Sequence, residues 1–416
     1  MIILSAKMKK ILLFLMLGCV LIGQAQVTSM SYKIKADALY GTILPFTERI
    51  SSLIDQPVTG AEVAVEWQTV GEKRWHYYLN FPMVGVAATY LNLGNPEKLG
   101  NAFALYPYMN FGVIRNKYFN AGIKAGAGVS YLTKTYYNTN TDANGIVYPS
   151  LDHTNSEIGS HLNVYFAGGG SLEVPLLWGL SLSAELTWNH MSNGSVIAPN
   201  GGLNLINAMA GLKYSPNYRD YRIPAQRKMP EVPRKFSTEL IVSGGVRQLY
   251  YKDKQSFGIG SIDVAEFYPL TNYYRMGVGA DLFFDPVFGE VNSAVDGNAV
   301  ETSYKRTYIT KDVLWNKLRA GISWQNELII DRLTAGIHLG LYLYDPIKNK
   351  EPYTEAANGA VHKGLFYGYD ISKEDGWLYS RASLKYAITN HVFAAVGLKT
   401  HLQKAEFIEW GLGYKF

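Results

Sequence analysis

Cysteine is almost missing from this chain: one residue in 416, Cys19, set inside an apolar run near the N-terminus. A single thiol excludes an intrachain disulfide and any zinc site built on several cysteines. Charge is scarce too, 18% of residues, where about 25% is usual for a soluble protein. Long hydrophobic runs are lacking: beyond residue 27 no stretch approaches the ~18–20 consecutive apolar residues of a membrane helix. Net charge is small, +5 formally, and three of the 39 basic residues (Lys7, Lys9, Lys10) lie in an expected leader, leaving the rest nearly balanced by 34 acidic ones. That balance is not a nucleic-acid footprint, so no nucleic-acid partner is expected. What is plentiful is glycine (40) and tyrosine (31), within a 48% hydrophobic share. This share excludes intrinsic disorder. Together with the missing helix-length runs, it suits an all-β chain and a membrane barrel.

Residues 1–25 read as an export signal. Lys7, Lys9 and Lys10 precede the apolar run Ile11 to Ile22, and Gly23-Gln24-Ala25 offers small residues at a cleavage site. Met8 is an alternative start, and Leu17-Gly18-Cys19 an alternative lipoprotein site, although apolar Val20-Leu21-Ile22 follows it. Cleavage after Ala25 leaves a mature chain without cysteine.

Apolar and polar residues then alternate almost everywhere. From Leu180 onward the even positions read Leu180, Leu182, Ala184, Leu186, Trp188 and the odd ones Ser181, Ser183, Glu185, Thr187, Asn189. Period two means a strand with one apolar and one polar face. The C-terminus repeats this, with Ile408, Trp410, Leu412, Tyr414 and Phe416 on one face. Such segments recur sixteen times, near 32–44, 60–70, 76–92, 100–114, 117–133, 161–174, 178–192 and 203–214, and again near 236–250, 257–268, 272–285, 317–329, 332–345, 377–388, 391–402 and 405–416. Connections alternate between short turns (Ile330-Asp331, Thr389-Asn390) and long polar segments (45–59, 134–160, 286–316, 346–376). This asymmetry predicts an outer-membrane barrel with long loops outside and both termini on the periplasmic side. A secreted β-sandwich would not require an apolar face on nearly every strand.

The fold expected is therefore all-β, made of transmembrane antiparallel β-barrels. Ser215 to Lys235 breaks the alternation with Pro216, Pro224, Pro230 and Pro233 among arginines and lysines. Similar strand endings close both halves, Gly211-Leu212-Lys213-Tyr214 and Gly411-Leu412-Gly413-Tyr414-Lys415-Phe416. This predicts two eight-stranded units, 26–214 and 236–416, joined by a Pro/Arg-rich periplasmic linker at 215–235, with one sixteen-stranded barrel as the alternative. Polar faces in the second half carry mixed charge (Glu239, Arg247, Asp263, Arg275, Asp281, Arg319, Glu327, Arg381, Lys385, Lys399, Glu409). Those of the first half carry small residues such as Gly122, Gly126, Gly128, Gly169 and Ser171. Small or paired interiors suit narrow barrels whose lumen is filled by side chains.

One segment carries chemistry: Trp188-Asn189-His190-Met191-Ser192-Asn193-Gly194, then Pro199-Asn200-Gly201-Gly202-Leu203-Asn204. His190 and Ser192, two apart on a strand, project from the same face. By parity it is the apolar face of Leu182, Leu186 and Trp188. They read either as a nucleophile beside its base, or as a rim histidine followed by a Ser-Asn-Gly turn. Elsewhere, Lys399-Thr400-His401-Leu402-Gln403 echoes this segment without a nucleophile, with His401 on an inward face near Glu406 or Glu409. Asp152-His153 is a loop pair, and Gly168-Gly169-Gly170 lies within a strand and supports no phosphate loop.

His-x-Ser-Asn followed by Pro-Asn-x-Gly resembles the active-site segment of the outer-membrane lipid A 3-O-deacylases, the PagL family. The resemblance covers roughly residues 30–214 and is specific over 188–204, where His190, Ser192, Asn193, Pro199, Asn200 and Gly202 match in turn. It implies an eight-stranded barrel in the outer membrane of a Gram-negative bacterium, a serine esterase that removes an ester-linked acyl chain from lipid A of lipopolysaccharide in the outer leaflet. The implied catalytic residues are His190, Ser192 and, at the position where the family has Glu, Asn204. An amide oxygen can orient an imidazole but lacks the full charge that stabilises an imidazolium. Asn193 and Asn200 are the implied oxyanion donors, and Leu182, Leu186 and Trp188 the implied acyl groove. No metal or organic cofactor is implied. The other function class is a non-catalytic barrel (structural, adhesive or pore) with a decayed site.

Overall fold

The computed structural model describes residues 32–45, 48–139, 155, 157–218, 225–227, 229–248, 256–288, 304–306, 313–346, 353–355, 377–401 and 404–416. The expected signal at 1–25, Asp152-His153, Leu402-Gln403 and much of the long segments 134–160, 286–316 and 346–376 lie outside them.

Eight strands form the first unit: β1 (Tyr32–Ile43), β2 (Val58–Gln68), β3 (Met83–Asn92), β4 (Asn101–Arg115), β5 (Asn120–Leu132), β6 (Leu162–Pro175), β7 (Leu180–Ser192) and β8 (Leu203–Tyr214). Each pairs antiparallel with the next, and β1 pairs with β8 (Ile34↔Tyr214 to Ile43↔Leu205), closing a barrel. The second unit comprises β9 (Ser237–Arg247), β10 (Phe257–Pro269), β11 (Tyr274–Phe284), β13 (Leu318–Ile330), β14 (Leu333–Tyr344), β16 (Leu378–Ala387), β17 (Val392–His401) and β18 (Lys404–Lys415). It closes through β18 and β9, with Lys415 opposite Glu239. Two short strands, β12 (Tyr304–Arg306) and β15 (Tyr353–Glu355), pair apart from both barrels. The architecture is thus two closed eight-stranded barrels, and not one of sixteen strands. Closure removes every open edge, the only sheet arrangement that leaves no backbone donor facing lipid.

Alternation sorts the side chains as anticipated. Leu182, Leu186, Trp188, Val278, Trp324, Ile337, Trp410 and Leu412 all point outward and are exposed. Aromatic residues mark the ends: Tyr118, Trp178 and Phe416 at the short-turn end, Trp315 and Trp377 at the long-loop end. An apolar band between aromatic girdles is the surface of an outer-membrane barrel. No helix among the described residues is long and apolar enough to cross a membrane.

Two expectations need correction. The strand anticipated from residue 76 begins only at Met83: Arg74–Tyr78 is a short helix, and Asn80 and Phe81 take positive φ (55° and 51°) before it. Phe81 is buried there, its carbonyl accepting from Gln68 Nε2 at 2.6 Å and Arg115 Nη2 at 2.6 Å. The interior of the first barrel is also not filled by small residues alone. Lys35 and Lys124 each bridge Glu62 and Glu185, at 2.7 and 2.6 Å for Lys35 and 2.7 and 2.8 Å for Lys124. Tyr106 Oη and Thr89 Oγ1 donate to the other Glu62 oxygen at 2.5 and 2.8 Å. The glycines on β5 and β6 make room for this cluster; a Cβ on Gly126 would meet Tyr108 Cβ at 2.6 Å. In the second barrel Arg381 joins Asp263, Asp281 and Glu409, and Arg275 and Lys385 both join Glu239 and Glu327. Buried charges tolerate a narrow lumen only when paired in this way.

The described part of the linker lies against the short-turn end. Gln226 Nε2 donates to the Tyr77 carbonyl (3.3 Å), Tyr78 Oη to that of Pro230 (3.2 Å), and the Val232 N–H to Asn272 Oδ1 (2.6 Å). It therefore touches turns of both barrels.

Candidate active site

β7 runs toward the long-loop end and delivers His190 and then Ser192 to its rim. Register pairs His190 with Asn204 on β8 and with Phe166 on β6. Because directly opposed residues on neighbouring strands share a face, Asn204 and Phe166 flank the imidazole on the outward side. His190 Nε2 lies 2.9 Å from Ser192 Oγ, and His190 Nδ1 lies 2.8 Å from Asn204 Oδ1. The ring stacks on Trp188 (centroids 5.8 Å apart, 18° between planes) and approaches Phe166 at 6.3 Å.

These contacts fix a protonation pattern. An amide oxygen only accepts, so Nδ1 carries the proton and donates it to Asn204. The Nε2 lone pair of the neutral ring then faces the Ser192 hydroxyl. Gly202 keeps this space open. Its φ is +78°, and a Cβ there would stand 2.9 Å from His190 Cε1 and 3.4 Å from Ser192 Cβ. The Gly202 N–H is held by the Glu157 carbonyl at 3.0 Å.

The two asparagines anticipated as oxyanion donors differ. The Asn193 N–H donates to Asn200 Oδ1 at 2.8 Å, and Asn193 Nδ2 donates to Ser160 Oγ and to the Ile197 carbonyl, each at 2.9 Å. Its donors are thus occupied. Asn200 Nδ2 is buried and has no partner among the described residues. A buried amide N–H without an acceptor costs on the order of 1–3 kcal/mol.

The groove residues are aligned as parity requires. Leu182, Leu186 and Trp188 follow the outward face down from His190, all of them exposed. Leu186 pairs laterally with Gly170 and Ala208, and Trp188 with Gly168 and Ile206. Leu182 lies eight positions from His190, about 27 Å at strand rise, so it marks the far end.

Phe166 and Ser160 belong to this arrangement and carry no motif in the sequence. Phe166 is reached by pairing β6 with β7; Ser160 comes from a loop, where no periodicity speaks. His401 points inward in the second barrel, its Nδ1 3.5 Å from Glu406 Oε1, far from any serine arrangement of this kind. Among the described residues no cluster of His, Cys, Asp and Glu suits a metal.

Two family models match this chain. Residues 59–213 match the family described as lipid A 3-O-deacylase (PagL), and residues 236–358 and 360–416 match the acyloxyacyl hydrolase C-terminal domain. No curated protein matches the chain. Among solved structures, the outer membrane enzyme PagL aligns at 16% identity over 44% of this chain and 98% of its own, with a TM-score of 0.27. The ferric enterobactin receptor PfeA aligns at 10% identity over 94% of this chain and 69% of its own, with a TM-score of 0.23. A porin from Rh. blastica aligns at 7% identity over 92% and 100%, with a TM-score of 0.17. The family models, which match separate halves, carry the assignment: the first barrel of this chain belongs to the lipid A 3-O-deacylase (PagL) family of outer-membrane β-barrel enzymes, and it is followed by an acyloxyacyl hydrolase C-terminal domain.

Proposed function

We propose that this protein is a serine esterase of the outer membrane that removes an ester-linked acyl chain from lipid A, with His190, Ser192 and Asn204 as its catalytic residues. The observation carrying this reading is the contact chain Ser192 Oγ, His190 Nε2, His190 Nδ1, Asn204 Oδ1 on the lipid-facing rim. Nucleophile, base and orienting group stand in the order that acyl transfer needs.

Ser192 Oγ attacks the ester carbonyl while Nε2 takes its proton. Asn200 Nδ2 supplies a hydrogen bond to the oxyanion, more readily than Asn193, whose donors are engaged. As the tetrahedral adduct collapses, the imidazolium returns the proton to the departing sugar oxygen. Water then repeats the sequence on the acyl-enzyme, regenerating Ser192 and releasing the fatty acid. Leu186 and Trp188 line the acyl chain on the barrel exterior, so the substrate need not leave the outer leaflet. The chemistry calls on no metal or organic cofactor.

The test is mass spectrometry of lipid A from cells carrying wild-type, Ser192→Ala or His190→Ala protein. Each variant should lose deacylation by several powers of ten while keeping heat-modifiable barrel migration. Wild-type activity in Ser192→Ala would overturn the serine esterase reading. The Asn at the position of the family's Glu favours a second reading, a barrel whose site has decayed. Lipid A unchanged by the wild-type protein would support that one.

A further inference from the structure

We infer that the second barrel is a positioning partner of the lipid site on the first, acting through the segment between Ser192 and Asn200. The inference rests on the esterase reading for its kinetic consequence, and on direct contacts for its structural one. The Gln248 N–H, just beyond β9, donates to the Ser195 carbonyl at 2.7 Å. Gln248 Oε1 accepts from the Ala198 N–H at 3.0 Å, and Ser195 Oγ donates to the Ala405 carbonyl on β18 at 2.7 Å. Three hydrogen bonds between barrels thus fall on two residues of one loop, Ser195 and Ala198.

Packing meets the same loop. Gly194 is buried, and a Cβ there would lie 2.3 Å from Ile408 Cγ1 and 3.3 Å from Leu398 Cδ1, both on the second barrel. Gly194 and Ser195 have φ of +61° and +62°. For Ser195 this left-handed conformation is unfavourable without outside support, and both of its oxygens find that support on the other barrel. The loop so held begins at the nucleophile and carries Asn193, whose N–H fixes Asn200 by its Oδ1. The orientation of the Asn200 amide, whose Nδ2 has no partner among the described residues, therefore depends on a clamp made by Gln248, Ala405 and Ile408. A second domain that makes no contact with the reacting atoms acquires a catalytic consequence, and its removal from the loop loosens the oxyanion side of the site while leaving the acyl groove on β7 intact.

The experiment uses the full chain in detergent–lipid mixtures. Gln248→Ala removes the acceptor for Ala198; Gln248→Glu keeps it. Gln248→Ala should lower kcat by about tenfold, the kinetic equivalent of one lost hydrogen bond, with KM little changed, and Gln248→Glu should recover it. Gly194→Ala should lower kcat as well, and the paired Gly194→Ala/Ile408→Ala, which removes the opposing side-chain carbons, should regain part of the loss. Hydrogen exchange supplies a readout that needs no activity: amides of 193–198 should exchange faster in Gln248→Ala than in wild type, with β7 unchanged. Parental kcat and parental exchange in Gln248→Ala would overturn the inference, as would failure of both Gln248→Glu and the double variant to recover. Ser192→Ala, run alongside, decides the esterase reading separately: activity retained there overturns that reading, while faster exchange in Gln248→Ala still upholds the clamp.

Discussion

At the scale of single residues, the site turns on Asn204. Its amide oxygen sets the His190 tautomer at a distance of 2.8 Å, and this orientation is what leaves Nε2 free for Ser192. What an amide cannot do is offset the positive charge that His190 would acquire on taking the serine proton in the proposed mechanism. Asn204→Ala is therefore expected to lower turnover substantially, because the ring loses its anchor, while lipid binding along Leu186 and Trp188 persists. Asn204→Glu should match or exceed wild type: a carboxylate also orients Nδ1–H and adds a Coulomb gain that exceeds about 1 kcal/mol in a low-dielectric rim, roughly tenfold in rate. A deacylation time course on purified variants reads both. Equal rates for all three proteins would remove Asn204 from the mechanism.

At the scale of strands, function depends on an interior that does no chemistry. β7 presents His190 to lipid only because its alternate residues find partners inside. Glu185, on the same strand, is held by Lys35 and Lys124, which also hold Glu62 on β2. The four charges alternate in sign, so deleting Lys124 leaves two buried carboxylates to share Lys35 alone. Lys124→Ala should cost about 3–5 kcal/mol, the usual penalty for breaking a buried pair. Glu62→Gln should cost less than Lys124→Ala, since Tyr106 and Thr89 can still donate to its remaining oxygen. Equilibrium unfolding in urea, followed by unboiled gel migration, measures the ranking; the reverse order would show that the alternation of charge is not what stabilises the barrel.

At the scale of the whole molecule, the two barrels must enter the membrane in one orientation, since the clamp on the Ser192 loop and the linker contacts lie at opposite ends. Lys73 and Asp331 meet at the short-turn end at 2.7 Å, both exposed, while Ser195, Gln248 and Ala405 meet at the long-loop end. The proposed action on outer-leaflet lipid would place the latter end outside. Near-absence of cysteine makes labelling clean. A membrane-impermeant maleimide on intact cells should label Glu97→Cys and Val313→Cys, and should spare Lys117→Cys and Asn390→Cys until the membrane is opened. Labelling of Asn390→Cys on intact cells would reverse the orientation of the second barrel.

Local pattern by itself determined much of this. Period-two alternation is a property of neighbouring residues, so the strands, the lipid-facing side and the shared face of His190 and Ser192 were all legible before any pairing was known. The Pro-rich segment before Ser237 was enough to suggest two closures instead of one, though only the pairing of β1 with β8 and of β18 with β9 decided it. The cluster of Lys35, Glu62, Lys124 and Glu185 is invisible to local pattern because its members are spread over four strands, β1, β2, β5 and β7. Likewise, the helix at Arg74–Tyr78 interrupts what read as strand, because Phe81 is drawn into the barrel mouth by Gln68 and Arg115. Which asparagine keeps a free donor, and what holds the loop beside Ser192, are questions of who else is near. Their answers involve Ser160, Gln248 and Ala405, residues tens to hundreds of positions away, and only the folded chain brings them within hydrogen-bonding distance.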